Sequence, residues 1–271
     1  MRWIACMTAL ALIGCTREVP GDPPVAAADG AVVASALAAW SQRLAVIRDY
    51  AVEGEVKDAA TGQSMRFRYA MQQPTWSAGE LLGPDGARAR GFIFNNKILI
   101  IINNTTKSVL RQEFGSSGAP GQATADEEEA MLLQVHEIFS QFVCEGWRPP
   151  LIKPQGTTGT RVGELLVLSV PIVDDDLAFQ RLTLKADGAF VKKELLDKRG
   201  NVVSQTAVLE DVVDDATHLA LPKRWSHTEG GSTQEVTLTK IAVNQGVDAG
   251  RFSTAVPAGF QLRTKTPEVQ P

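Results

Sequence analysis

Apolar and polar positions alternate along this chain in two rhythms, and the order of the rhythms outlines a fold. Val33, Leu37, Trp40, Leu44 and Ile47 recur at alternating spacings of four and three. That one-sided stripe predicts an amphipathic helix, with Asp29 placed to cap its start. The period then drops to two. In "EGEVKDAATGQSMRFRYAMQQP", Met65, Phe67, Tyr69 and Met71 alternate with Arg66, Arg68 and Ala70, which predicts two strands about a turn at 59–62. The same rhythm continues through "ELLGPDGARARGFIFNNKILIIIN" to "SVLRQEF", with turn signals at Gly83-Pro84-Asp85-Gly86 and Asn95-Asn96. Strands joined by such short turns pair antiparallel.

After the loop "GSSGAPGQ", Thr124 and Glu127 form a capping-box pair. A second helical stripe follows through Met131, Leu132, Val135, Ile138, Phe139 and Phe142, and ends at Gly146 and Pro149-Pro150. From Val162 onward the chain is strand again, in six stretches from "GELLVLSVPIV" to "TQEVTLTKIAVN", with turns at Asp187-Gly188 and Arg199-Gly200-Asn201. Val236 and Leu238 are out of phase with Ile241 and Val243, which places a β-bulge between them. Helix, strands, helix, strands is an α+β order. A sheet of roughly ten antiparallel strands curls or splits. The expected solution is one curved antiparallel sheet with both amphipathic helices packed across its concave face.

The N-terminus has a different character. Met1-Arg2 is a short basic start, Trp3–Ile13 is apolar or small except for Thr8, and Leu12-Ile13-Gly14-Cys15 follows. The apolar run is shorter than the ~20 residues a membrane-spanning helix needs, and it has the layout of a secretory signal. Leu12–Cys15 resembles the bacterial lipobox, in which a thiol carries the lipid and a small residue admits the peptidase. The expected organisation is a signal peptide over 1–14, a lipidated tether over 15–28, one domain over 29–265 and a tail over 266–271. The lipobox resemblance implies the outer membrane rather than the inner, since Thr16 after Cys15 is not aspartate.

Charge and chemistry narrow the function. The formal charge is −4, and loss of Arg2 with the signal moves it to −5, with no basic block. Nucleic acid is therefore not an expected partner. Cys6 leaves with the signal and Cys15 is the acylation site, so of the three cysteines Cys144 stands alone, as a small core residue. His136, His218 and His227 show no metal-ligand spacing, and His218 and His227 read as separated by a turn. Asp174-Asp175-Asp176 lacks the alternating ligands and glycine of a calcium loop. No nucleophile motif is present. No catalytic residue, metal or cofactor is assigned, and the chain is read as a non-enzyme.

The stripe with "LAVIRDYAVEGEV" followed by "MRFRYAMQQPTWSAGELLGPDG" resembles the start of the LolA/LolB outer-membrane lipoprotein carrier superfamily. "GFIFNNKILIIINNTTKSV" is similar to that family's strand pair about a tight turn. The ending is similar as well, in Leu221-Pro222, Val243-Asn244, Phe252 and Pro257-Gly259. The resemblance covers most of residues 30–265. It implies an incurved, unclosed half-barrel lidded by helices, with an apolar cavity that accepts acyl chains. The chain carries no clear counterpart of the protruding apolar loop of LolB.

On that resemblance the candidate cavity residues are Met65, Phe67, Tyr69 and Met71 from one strand face, then Phe92, Phe94, Leu99 and Ile101. Trp40, Leu132 and Phe139 are the expected underside of the lid. The alternative is that the same side chains fill the space as a dry core, since apolar alternation is identical in both cases. Arg66 and Arg68 pair with helix acids or cargo head groups, or form a solvated strand face. The expected function is an outer-membrane-anchored periplasmic lipoprotein, a monomer, that carries or receives lipoproteins or lipids by their acyl chains. Its expected partners are acyl chains, the membrane through its own lipid, and a periplasmic carrier or envelope protein. The alternatives are a lipid-signal sensor like the RseB relatives and a structural envelope lipoprotein without cargo.

Overall fold

The computed structural model describes residues 30–72, 76–95, 98–113, 143–144, 155–172 and 176–265. Helix α1 (Gly30–Ala45) buries Val33, Ala36, Trp40 and Leu44, one residue per turn on a single face. Leu37 is half-buried beside them. Ile47, the last member of the expected stripe, lies beyond the helix end, where its N–H donates to the Leu44 carbonyl at 3.0 Å. The helix packs on the strands Thr158–Val162 and Leu165–Pro171. Asp29, the second stripe from Met131 to Phe142, and the turn residues Asn96 and Lys97 lie outside the described residues.

The first run of strands is β1 (Asp49–Asp58), β2 (Ser64–Gln72), β3 (Trp76–Leu82), β4 (Arg88–Asn95), β5 (Ile98–Asn103) and β6 (Ser108–Glu113). The second run is β7 (Thr158–Val162), β8 (Leu165–Pro171), β9 (Leu177–Lys185), β10 (Phe190–Asp197), β11 (Val202–Val213), β12 (Ala220–Glu229), β13 (Ser232–Val243) and β14 (Gln261–Lys265). All fourteen belong to one sheet, ordered β14-β6-β5-β4-β3-β2-β1-β13-β12-β11-β10-β9-β8-β7. The two meanders join where β1 pairs antiparallel with β13. The sheet does not close, because its end strands β14 and β7 are not neighbours.

Two strands depart from the sequence expectation. β7 reads "TGTRV" and β14 reads "QLRTK", and neither carries the apolar alternation that marks a half-buried strand. Each is an end strand, where backbone pairing on one side suffices. β14 also breaks the all-antiparallel rule, pairing parallel with β6 from Gln261 opposite Ser108 to Lys265 opposite Gln112. The bulge stands where phase predicted it. Glu53 pairs with Lys240 and Gly54 with Leu238, which leaves Thr239 as the extra residue. Its hydroxyl donates to the Glu53 carbonyl at 3.2 Å.

The sheet buries both of its faces. The larger core lies on the helix face and joins Trp40 and Leu44 to Tyr50, Phe67, Leu99, Leu168 and Trp225. The smaller core lies on the opposite, back face, where Ala70, Ala78, Ile93, Ile100, Ile102 and Val109 sit under Phe252. Phe252 belongs to residues 244–260, which leave β13 in mid-sheet and cross the back face to start β14 beside β6. Val247, Val256 and Phe260 of this strap are half-buried against the same core. Burial on two faces explains why "ILIII" in β5 is continuously apolar rather than alternating.

Candidate functional site on the helix face

Register sets the composition of the helix face. Across β1 and β2, Tyr50 stands opposite Met71, Val52 opposite Tyr69 and Gly54 opposite Phe67. Across β4 and β5, Phe92 stands opposite Ile101 and Phe94 opposite Leu99. Phe67, Tyr69, Phe94, Leu99 and Trp40 are buried in one apolar cluster, and Met71, Phe92 and Ile101 are half-buried against it. The structure therefore brings eight of the expected cavity residues together. Met65 is on the same face, opposite Val56, but 41% of its surface is exposed at the outer end of β2, away from the cluster. Leu132, Phe139 and Cys15 lie outside the described residues.

Aromatic packing orders this face. The rings of Tyr50 and Tyr69 lie 5.7 Å apart, and Trp40 stacks on Phe190 at 6.2 Å. Trp40 sits tight on the sheet because Gly188, at φ +81°, passes beneath it, so that a Cβ there would fall 2.6 Å from the Trp40 backbone nitrogen. The Trp40 indole N–H is buried and has no hydrogen-bond acceptor among the described residues. Arg43 ties α1 to the sheet. Its guanidinium forms an ion pair with Asp187 at 3.1 Å and donates to the Ala220 carbonyl, with 7% of its side chain exposed.

Sequence reasoning left out the far half of this face. Leu166, Leu168, Leu182, Leu184, Phe190 and Trp225 belong to the same cluster, and so does Cys144, which is buried as a small core residue. The alternation in "LLVLSV" and "LTL" carried the signal for these leucines. Nothing local showed that strands from the second half share a core with β1–β5.

The polar chemistry lies elsewhere. The carboxyls held below the ordinary range are Asp58, by the Thr61 backbone and hydroxyl; Asp197, by Asn201; and Glu210, by Lys223. Each is in a turn or on an exposed strand surface. Among the described residues no group of three His, Cys, Asp or Glu is placed to hold a metal ion. His218, at φ +56°, follows the turn at 215–217, and β12 begins two residues later at Ala220 and runs through His227, so no turn separates the two. The His227 Nδ1 lies 3.0 Å from the Thr206 hydroxyl. Arg66 reaches the Pro84 carbonyl at 3.5 Å, and Arg68 pairs with Glu53 at 3.6 Å on the back face, away from the apolar cluster. Among the described residues, what the helix face offers is apolar walls and one unsatisfied indole N–H.

No family model matches the chain, and no curated protein matches it in sequence. Solved structures do match in fold. A DUF1329 family protein from Desulfovibrio piger aligns with a TM-score of 0.56 at 10% identity, over 82% of this chain and 97% of that one. A domain named for outer-membrane lipoprotein sorting, from Vibrio parahaemolyticus, aligns with a TM-score of 0.52 at 14% identity, over 80% and 95%. A LolA superfamily protein from Nitrosomonas europaea aligns at 0.49 and 12% identity, over 80% and 97%. The chain shares its fold with the DUF1329 protein and with the domain named for lipoprotein sorting.

Proposed function

We propose that this chain is a periplasmic lipoprotein, anchored to the outer membrane through Cys15, that binds acyl chains on the helix face and carries or receives lipoproteins or lipids. In this reading the sheet curls toward α1 and the residues beyond it, and an acyl chain enters between sheet and helix. The observation that carries the proposal is incomplete burial. Met71, Phe92 and Ile101 border a closed aromatic cluster yet keep part of their surface open. The lipoprotein-sorting name of the Vibrio neighbour supports the same reading.

The physical requirement is transfer of apolar area. Each methylene moved out of water gains ~0.8 kcal/mol, so a long acyl chain in water is costly and a protein wall must replace most of that burial. Methionine suits an irregular cargo because its thioether is flexible and polarizable. The unsatisfied Trp40 N–H is a donor for an ester carbonyl at the head of such a chain.

The test uses the full chain with Cys15→Ser, which blocks acylation, and a dansyl-labelled fatty acid. The expected result is saturable uptake that phospholipid or acylated peptide displaces. Met71→Glu and Phe92→Ala are each expected to weaken uptake about tenfold, or ~1.4 kcal/mol. Absence of saturable uptake by a chain with intact circular dichroism would overturn the proposal.

A further inference from the structure

A cleft of about 380 Å³ opens on the back face, between β2–β4 and the strap, on the opposite side of the sheet from the proposed acyl site. Its floor is apolar and shallow because the sequence supplies small residues there. Ala70 stands opposite Ala78, and Gly91 lies between Glu80 and Ile102 across the ladder. A Cβ on Gly91 would press against the Arg88 Cδ at 3.1 Å, so glycine lets the arginine stem lie along the floor. Ile93 and Ile102 complete the apolar surface. The volume falls within the ~300–1,000 Å³ of small-molecule sites.

The walls carry charges of both signs. Arg68, Arg88 and Arg251 line the cleft against Glu80 and Asp248. Both carboxylates are already engaged. Glu80 pairs with Arg88 at 3.4 Å, and Asp248 accepts from the Gly250 N–H at 2.9 Å, where it caps the 3-10 turn Ala249–Phe252. The Arg68 Nε is shielded from water and faces the Glu53 Oε2 at 3.6 Å, an ion pair too long to be a hydrogen bond. Arg251 has no ion pair or side-chain hydrogen bond among the described residues. A guanidinium N–H held just beyond hydrogen-bond distance of its carboxylate is weakly satisfied, and an anionic oxygen at normal distance completes the bond.

We infer that this cleft is a second binding site, for a small anionic amphiphile whose carboxylate or phosphate sits against Arg68 and Arg251 and whose short apolar body lies on Ala70, Ala78 and Ile93. The inference stands apart from the acyl-carrier reading, because the ligand contacts it names lie on the other face of the sheet; Tyr69 and Phe92 border the cleft but belong to the helix-face cluster. A lipid head group and a free organic phosphate or carboxylate share the chemistry.

Calorimetric titration of the full chain carrying Cys15→Ser, with hexyl phosphate as the probe, tests it. Saturable binding is expected, with Arg251→Ala weakening it at least about fivefold and Arg251→Lys restoring part of the loss. Arg251 is exposed, so its removal leaves both cores intact. Inorganic phosphate is expected to bind more weakly than hexyl phosphate, because it leaves the alanine floor uncovered. Binding to phosphatidylglycerol vesicles that depends on Arg251 would support the site and assign a lipid head group. Hexyl phosphate binding without vesicle binding would support it and assign a free ligand. The inference is overturned if hexyl phosphate does not saturate, if Arg251→Ala binds as the parent chain does, or if inorganic phosphate binds equally well.

Discussion

The ring of Phe67 lies across Gly54, its partner in the β1–β2 register. A Cβ built on Gly54 would fall 2.7 Å from the Phe67 Cζ and 2.8 Å from the Thr237 carbonyl oxygen. One aromatic ring thus occupies the place of a missing side chain at the bulge where the two meanders join. Gly54→Ala is expected to destabilise the chain by about 1–3 kcal/mol, the cost of overpacking a tight core. Thermal unfolding measures it. Gly30→Ala is the control, since a Cβ there meets nothing within 4 Å. Combining Gly54→Ala with Phe67→Leu is expected to recover only part of the loss, because the Thr237 carbonyl must still move.

Asn244 closes the junction from the other end. Its side-chain oxygen accepts from the Arg48 N–H at 2.7 Å and the Asp49 N–H at 3.3 Å, and its amide donates to the Val46 carbonyl at 2.8 Å. Its backbone is left-handed, at φ +54°, a conformation asparagine tolerates better than alanine. Asn244→Ala is expected to cost about 2 kcal/mol or more from lost hydrogen bonds and backbone strain together. Asn244→Asp keeps the acceptor and loses the donor, so urea unfolding should place it between the parent chain and Asn244→Ala.

Arg43 holds the helix down through Asp187 and the Ala220 carbonyl. Arg43→Met keeps the aliphatic stem and removes the donors. Amide hydrogen exchange in α1 is then expected to quicken while exchange in β1 and β13 stays slow. Equal acceleration in all three elements would show that α1 does not open as a separate unit.

The turn after β10 carries a pH dependence of defined sign. Asp197 accepts from the Asn201 side chain at 2.9 Å and from the backbone N–H groups of Asn201 and Arg199, both at 2.8 Å. These bonds, the Asn201 side chain foremost, hold its carboxyl below the ordinary range. Its contribution is therefore present above the unfolded value of ~3.9 and is lost as pH falls through the lower folded value. Asp197→Asn should lower the melting temperature near neutral pH, and the difference from the parent chain should shrink as the solution is acidified below that unfolded value.

Much of the architecture is legible in the chain, because alternation fixes which side of a strand faces a core. Alternation alone assigns Met71 and Phe92 to one face, and the Leu238–Ile241 phase break alone locates a bulge. Three things were not legible. β7 and β14 are polar and pair through their backbones, which leave no side-chain pattern. The back-face core depends on Phe252 meeting Ala70 and Ile100, a contact fixed by where the strap crosses rather than by local sequence. Alternation also could not distinguish the closed part of the helix face from its open margin. Phe67 and Phe92 follow the same rhythm, yet one is 1% exposed and the other half-buried.

The most direct test of the acyl-binding claim is quenching of single tryptophans by a brominated fatty acid. The chain has five tryptophans, of which Trp40 lies in the helix-face core and Trp76 packs against Phe252 on the back face. Two variants of the full chain with Cys15→Ser, one keeping only Trp40 and the other only Trp76, report on the two faces separately. Acyl binding between helix and sheet predicts saturable quenching of Trp40 with Trp76 unaffected. Quenching of Trp76 alone, or of neither, would contradict it.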